Sequence, residues 1–351
     1  MAFYAALICF SVAVWFLASN LKSERSKFVC FAIVGLVLFG VMGVRDSSVG
    51  TDTSHYIDSF STARYLSWSG MSSSHYEPLF YSFFLLVGAI TDDGNLFILV
   101  ESFITGVLMM RFIWRHSKSP LASLVLFQLF YFYCSSFNIS RMWLGTAIAL
   151  VGYDYVVQKK AKQALFFPIL GMLFHLSVIV LVPLYLLMAK KKPMSDAGLV
   201  LIIGSSIALI PFSQMILSLV VYLFPRYQVY LEVDSGISSG FLFPSFMGII
   251  LLGSLLVIEK NAAKTESDEA RRLCYPVTFG VCILILSNVF PIASRVVQIC
   301  LVFVIVLIPK IGILKYGKVF GGAVSLLACG YWYMQIQTNS GEVVPYKSWL
   351  F

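Results

Sequence analysis

Phe28–Val44 reads "FVCFAIVGLVLFGVMGV" and passes without a spacer into Arg45–Asp58, "RDSSVGTDTSHYID". An uncharged apolar run of this length is a helix whose solvent is lipid, because backbone N–H and C=O groups in hydrocarbon must be paired within the segment. The switch to an arginine, three aspartates and a histidine then puts a polar cluster at the membrane boundary. The rest of the chain has the same solvent. Of 351 residues, 59% are hydrophobic and 12% charged, and the mean hydropathy is +0.87, more apolar surface than a soluble domain can cover. The apolar runs are long rather than alternating ten-residue segments, which excludes a barrel. The fold class is all-α, a polytopic transmembrane protein with residues 1–351 as one integral membrane domain.

Phe3–Ser19 has no basic residue before it and no small-residue cleavage site after it, and is expected to be a retained first span. The seven cysteines lie in or beside apolar runs without CxxC spacing and read as packing residues. The net charge of +8 is spread over short loops, as membrane topology requires and nucleic-acid binding does not. Basic clusters at Lys22–Lys27, Arg115–Lys118, Gln158–Gln163, Lys190–Pro193, Glu259–Arg272 and Lys310–Lys318 are assigned to the inside. Both ends of the chain and the loop 45–76 are then external, as is the tail 337–351, while 259–272 forms an inner loop.

Two stretches cannot be full crossings. The apolar stretch 78–91 is only about fourteen residues long, in the range of interfacial segments rather than spans of ~20, so 77–91 is expected to lie at the outer membrane face. Residues 164–188 have inside anchors at both ends, with Pro168, Gly171 and Pro183 spaced to bend them, so a broken or re-entrant helix pair with His175 at its elbow is expected on a cavity. The total comes to about ten full spans plus that pair. No tandem or inverted repeat of the kind common in transporters is visible.

The expected outer face collects Arg45, Arg64, Arg141, Arg226, Arg295 and Lys347, against the positive-inside bias. A single arginine at a helix end can snorkel as an interface anchor. Several facing outward from separate helices make a receptor for a diphosphate, whose oxygens match guanidinium forks. Asp52, Glu77 and His175 are the candidates to take a proton from an attacking hydroxyl, and Tyr56 offers a ring face for a sugar. Plain structural readings remain beside these: Asp52 as an N-cap, Glu77 as the start of an interfacial helix, and His175 as a satisfied core histidine.

These residues lie in "RDSSVGTDTSHY", "YEPLFY", "FNISR", "LFHLSVIVLVPLY", "ASR" and "VPYKS". In that order, on this hydropathy profile, they resemble the EpsG/Wzy-type family of exopolysaccharide, capsule and O-antigen polymerases. Met142 stands where that family often has glutamine. The resemblance implies a bacterial cytoplasmic-membrane glycosyltransferase of GT-C-like arrangement, acting at the external face on polyprenyl-diphosphate-linked oligosaccharides. It implies catalytic Asp52, Glu77 and His175, diphosphate-binding Arg45, Arg141 and Arg295, and sugar contacts from Tyr56, Asn138, Tyr346 and Lys347. The expected reaction joins repeat units with inversion at the anomeric carbon and releases undecaprenyl diphosphate. Flippase or transporter, ligase or modifying transferase, and scaffold are the alternatives.

Expected partners are the lipid-linked donor and acceptor, the bilayer, and a flippase and chain-length regulator of the same pathway. No cofactor is expected, since the chain has neither P-loop nor dinucleotide fingerprint. No metal is expected either, because His55, His75 and His175 lack ligand spacing. The activated glycosyl–diphosphate bond supplies the driving force.

Overall fold

The computed structural model of the protein describes residues 1–62, 67–74, 76–190, 193–212, 215, 218, 222, 242–261, 265–286 and 293–350. Arg64, His75, Arg226 and most of the short segment expected at Met215–Phe224 lie outside the described residues. Every element among the described residues is helical, apart from one isolated antiparallel bridge between Arg45 and Ser348.

Helix α1 (Ala2–Ser19) and α2 (Glu24–Gly43) form a hairpin. The Ser23 hydroxyl accepts from Ser26 N–H at 3.4 Å and Glu24 occupies the first turn, so capping and dipole charge start α2 at the residue where the apolar run can begin. The polar loop then carries α3 (Thr53–Ser61), a 3-10 turn at Trp68–Ser73 and α4 (Pro78–Gly88), the last opened by a proline at its first position. α5 (Gly94–His116) is capped by Asp93, which accepts from Asn95 N–H at 2.8 Å.

α6 (Pro120–Leu129) and α7 (Phe132–Asn138) meet at 62°, with Tyr131 between them at φ +65°. α8 (Ser140–Val151) and the single turn α9 (Tyr153–Val157) follow. α10 (Ala161–Met172) rises to His175, and the chain returns through a 3-10 turn (Leu176–Val180) and α11 (Leu181–Met188). Gly145 of α8 and Gly171 of α10 bring the two backbones together: a Cβ at Gly171 would lie 2.3 Å from the Gly145 carbonyl oxygen. That contact holds the His175 elbow beside the first turn of α8.

The remaining helices are α12 (Asp196–Ala208), α13 (Leu242–Glu259), α14 (Thr265–Leu286), α15 (Ala293–Leu301), α16 (Val304–Ile311) and α17 (Gly317–Gln337). α15 and α16 run through the centre, since 72% of the Ser294–Ile311 segment is buried against 17% of α1, which stands at the lipid-facing edge. Trp143, Tyr133 and Phe127 fill the core around α6–α8.

Among the described residues five helices are long and apolar enough to cross a membrane, with α15 and α16 taken together as one, or six with the bent α6–α7 pair, against the ten or so expected for the whole chain. The chain is a multi-pass membrane protein, but several expected crossings are divided. The apolar stretch 142–157 is interrupted at Gly152, and the regions of Asp196 and Phe243 carry shorter apolar helices, while Pro78–Gly88 is short as expected of an interfacial segment. Part of the expected inner loop 259–272 is instead the start of α14. Its charges have partners there: Arg271 pairs with Asp196, Lys310 with Glu269, and Arg272 donates to the Met188 and Lys190 carbonyls at the end of α11.

Residues 338–350 fold back over the polar loop. Gly50 N–H donates to Glu342 O and Asp46 N–H to Lys347 O, each at 3.0 Å, and Trp349 N–H donates to Val44 O at 3.2 Å. Tyr4 Oη donates to Val343 O at 2.9 Å, and the Phe3 ring stacks on Tyr346 at 4.2 Å. Asn138 is wedged between loop and tail. Its Oδ1 accepts from Thr51 N–H at 2.7 Å, while Gly50 (φ +96°) and Gly341 (φ +78°) approach it from either side. A Cβ at Gly341 would lie 2.0 Å from Asn138 Nδ2.

Gly341→Ala therefore combines a left-handed backbone penalty of about 1–2 kcal/mol with that collision. Thermal unfolding of the purified protein should drop by several degrees, and an unchanged midpoint would mean that the tail is not clamped through Asn138.

Candidate functional site

Three candidate residues named from the sequence converge where α4, α8 and the His175 elbow meet. Pro78 fixes the start of α4, and Glu77 before it is extended (φ −64°, ψ 150°) without capping the helix, so its carboxylate is free to turn outward. Glu77 Oε2 accepts from Arg141 Nη1 at 2.6 Å, and Oε1 accepts from Leu176 N–H, next to His175, at 3.1 Å. Arg141 sits in the first turn of α8, where the chain restarts after the α7 break at Ile139. Its guanidinium lies over the rings of Tyr76 (5.2 Å) and Phe80 (5.5 Å), and its buried Nε has no hydrogen-bond partner. The Arg141 and Glu77 side chains retain 17% and 22% exposure, so the pair is reachable from solution.

His175 is buried and its Nδ1 accepts from Ser177 N–H at 3.4 Å, which leaves the proton on Nε2. Arg141 and Arg295 both lie within electrostatic reach of this imidazole. Arg295 gets there because α15 packs on the 3-10 turn that follows His175. Two guanidinium groups thus lie near one imidazole, and one of them is bonded to the Glu77 carboxylate, a donor-rich arrangement suited to an anion with several oxygens.

Asp52 occupies the N-cap position of α3 but its carboxylate makes no cap bond. It accepts from the Thr51 hydroxyl at 3.2 Å and is half-buried. Tyr56, one turn on, connects the two regions: Arg141, Glu101 and Asp52 are all within electrostatic reach of its hydroxyl. Burial pushes the Tyr56 phenol above its ordinary pKa, Arg141 opposes that, and the two carboxylates add to it, so the hydroxyl remains protonated at neutral pH. The Tyr56 ring packs edge-on against Phe80 and is not open to a sugar. Tyr76 donates to Ser59 Oγ at 2.8 Å and stands 3.3 Å from His55 Nε2, closing the same wall.

Arg45 does a different job from the one expected of it. It is fully buried, and its guanidinium donates to Met42 O (2.5 Å), Ser102 Oγ (3.3 Å), Phe137 O (3.2 Å) and Thr53 Oγ1 (3.1 Å). Those bonds cap the carbonyl ends of α2 and α7 and use four of the five N–H groups, at a position whose burial gives a phosphate no access. Tyr346 and Lys347 also lie apart from Glu77 and Arg141. Tyr346 is stacked on Phe3 and donates to Val41 O at 2.8 Å, and Lys347 is an exposed residue of the clamped tail. Asn138 is the latch between loop and tail, and it also lines a cavity of about 280 Å³ between α7, α15 and α17. A second cavity, of about 490 Å³, opens at the opposite end beside Lys27, Trp114 and Lys118, away from every candidate residue.

Glu101 escaped the sequence reading. It is fully buried in α5 beside the Ser140 hydroxyl, and Arg45 and Arg141 are both within its electrostatic reach. A lone acid inside the 23-residue apolar helix α5 was the available signal. Among the described residues no group of three His, Cys, Asp or Glu side chains is placed to hold a metal ion.

No curated protein and no solved structure matches the chain. The family model described as the EpsG family matches residues 28–348. That span starts at the apolar run that leads into Arg45 and takes in every candidate residue through Lys347, and the protein is therefore a member of the EpsG family.

Proposed function

We propose that the protein is a membrane polysaccharide polymerase that joins polyprenyl-diphosphate-linked oligosaccharide repeat units at the external membrane face. The convergence of Glu77, Arg141, His175 and Arg295 on one site is the observation that carries this reading. An acceptor hydroxyl attacks the anomeric carbon of the donor from the side opposite its diphosphate. The new C–O bond forms as the bond to the diphosphate oxygen breaks, inverting the configuration, and undecaprenyl diphosphate leaves. Arg141 and Arg295 take up the charge that develops on the leaving group, with the His175 Nε2–H as a further donor. Glu77, already bonded to Arg141 and Leu176 N–H, orients the guanidinium, while the uncapped Asp52 carboxylate receives the hydroxyl proton. Arg45 and Glu101 hold the loop and balance charge behind the site.

Purified protein in nanodiscs, supplied with lipid-linked repeat units, should give a ladder of products. Movement of intact single units across the bilayer without a ladder would replace polymerisation by transport.

Arg141→Lys keeps the charge but loses the fork. Losing one charge-assisted bond of about 1.5–3 kcal/mol predicts polymer formation slower by roughly 10- to 100-fold at normal protein level. Full activity in this variant would make Arg141 an interface anchor.

Polymer formation is expected to survive excess chelator, because guanidinium groups neutralise the leaving diphosphate. Abolition by chelator with recovery on Mn²⁺ would make Asp52 or Glu77 a ligand and require a different mechanism.

In a cysteine-free background, a cysteine at Ser54 should react with an impermeant maleimide on intact cells and one at Lys160 should not. The reverse pattern would place the site on the cytoplasmic side.

A further inference from the structure

We infer that the cavity between α7, α15 and α17 is a binding site for one uncharged sugar ring of the glycan, an assignment that rests on the polymerase reading. At about 280 Å³ it is close to the lower end of the ~300–1,000 Å³ of small-ligand sites, the size for one ring rather than a chain. Among the described residues no acidic, basic or histidine side chain lines it, so they offer a diphosphate or a cation no counter-charge there. Its lining is mixed rather than purely apolar, with Asn138, Gln298 and Gln335 amides among aromatic and aliphatic side chains, and hydrocarbon filling it would leave those amides facing apolar surface.

The polar groups have bonding capacity to spare. The Ser135 hydroxyl donates to Gln298 Oε1, which leaves both protons of the Gln298 amide available. Gln335 makes no side-chain hydrogen bond among the described residues. One turn from Gln335 on the same face of α17, Tyr331 stacks with Phe243 at 4.4 Å and 15°. Amides that bond hydroxyls, together with aromatic rings that cover C–H surface, match the two kinds of surface of a neutral sugar.

The position ties this cavity to the charged site. Ser294, Val297, Gln298 and Leu301 line it, spaced i, i+3, i+4 and i+7 along one face of α15. The same helix packs on the Leu176–Val180 turn and brings Arg295 within reach of His175. α15 is therefore a partition, with diphosphate chemistry on one side and a neutral ring on the other. Asn138 lines the cavity while its Oδ1 holds Thr51, next to Asp52, so the proposed base lies next to the ring's border.

Saturation-transfer NMR on the full chain in nanodiscs, with a panel of free hexoses, 6-deoxyhexoses and N-acetylhexosamines, tests the assignment. At least one sugar should show saturation transfer, and Gln335→Leu and Gln298→Leu should each weaken its binding about tenfold or more. Gln335→Leu removes no hydrogen bond from the protein, so its melting temperature should stay near that of the parent. No transfer from any sugar of the panel, or transfer undiminished in both variants, overturns the assignment. Geranyl diphosphate is the parallel probe. It should bind the parent and the Gln335→Leu variant alike and lose affinity in Arg141→Lys. Its failure to bind while sugar transfer persists would overturn the diphosphate reading and support the cavity on its own. Sugar binding that withstands saturating geranyl diphosphate assigns the ring to the acceptor, and sugar binding displaced by it assigns the ring to the donor.

Discussion

Arg45 donates to the carbonyls at the ends of two helices and to two hydroxyls, at 2.5–3.3 Å, with no access to water. The geometry around it follows from that buried charge. Breaking a buried ionic arrangement by removing one member typically costs about 3–5 kcal/mol, because the other charge is left uncompensated. Here the counter-charge is Glu101, equally buried one helix away. With these in place, α2, α5 and α7 are fixed relative to one another, the loop leaves α2 in one direction, and the tail bridges to Arg45 through Ser348.

The same alternation of sign continues outward. From Arg45 the charges run through Glu101 to Arg141 and then Glu77, from fully buried to partly exposed. Arg45 and Arg141 thus each have a carboxylate beside them. At the outer end Arg141 and Arg295 both lie near His175 with Glu77 bonded to Arg141, much as Arg111 and Arg115 share Asp154 elsewhere in the protein. In the proposed reaction the leaving diphosphate supplies further negative charge at the outer group.

The sequence made the membrane class, the helical class and most of the charged cluster legible. Asp52, Glu77, Arg141, His175 and Arg295 are polar residues at the borders of apolar runs, where a charge is costly enough to need a reason. It could not tell an arginine that pairs with a carboxylate near the surface from one that meets backbone, because Arg45 and Arg141 stand in the same kind of border position and differ in burial. Tyr56 and Tyr346 likewise read as open rings, and their faces are taken by Phe80 and Phe3. Glu101 was overlooked because it sits within an apolar run rather than beside one. The span count fell short for a related reason. Hydropathy averages over a window, and an interruption such as that at Gly152 depends on which helices cross closely, which a window does not record; the turn at His175 was legible because Pro168, Gly171 and Pro183 mark it.

The clamp between loop and tail also bears on the order of assembly. Tyr4 and Val343 are 339 residues apart in sequence, and Gly50 waits for Glu342 in the same way. Contacts of such separation are the slowest to form. The loop with Asp52 is made early in synthesis, yet its partners emerge only after α17 has been inserted. Until then Thr51 and Asn138 lack the segment that packs across them. A ribosome stalled beyond α14 would leave every helix that contributes a side chain to the charged site except α15, and the loop without its clasp, so an incompletely translated chain would carry Arg141 and Glu77 in the membrane with no means of completing the site.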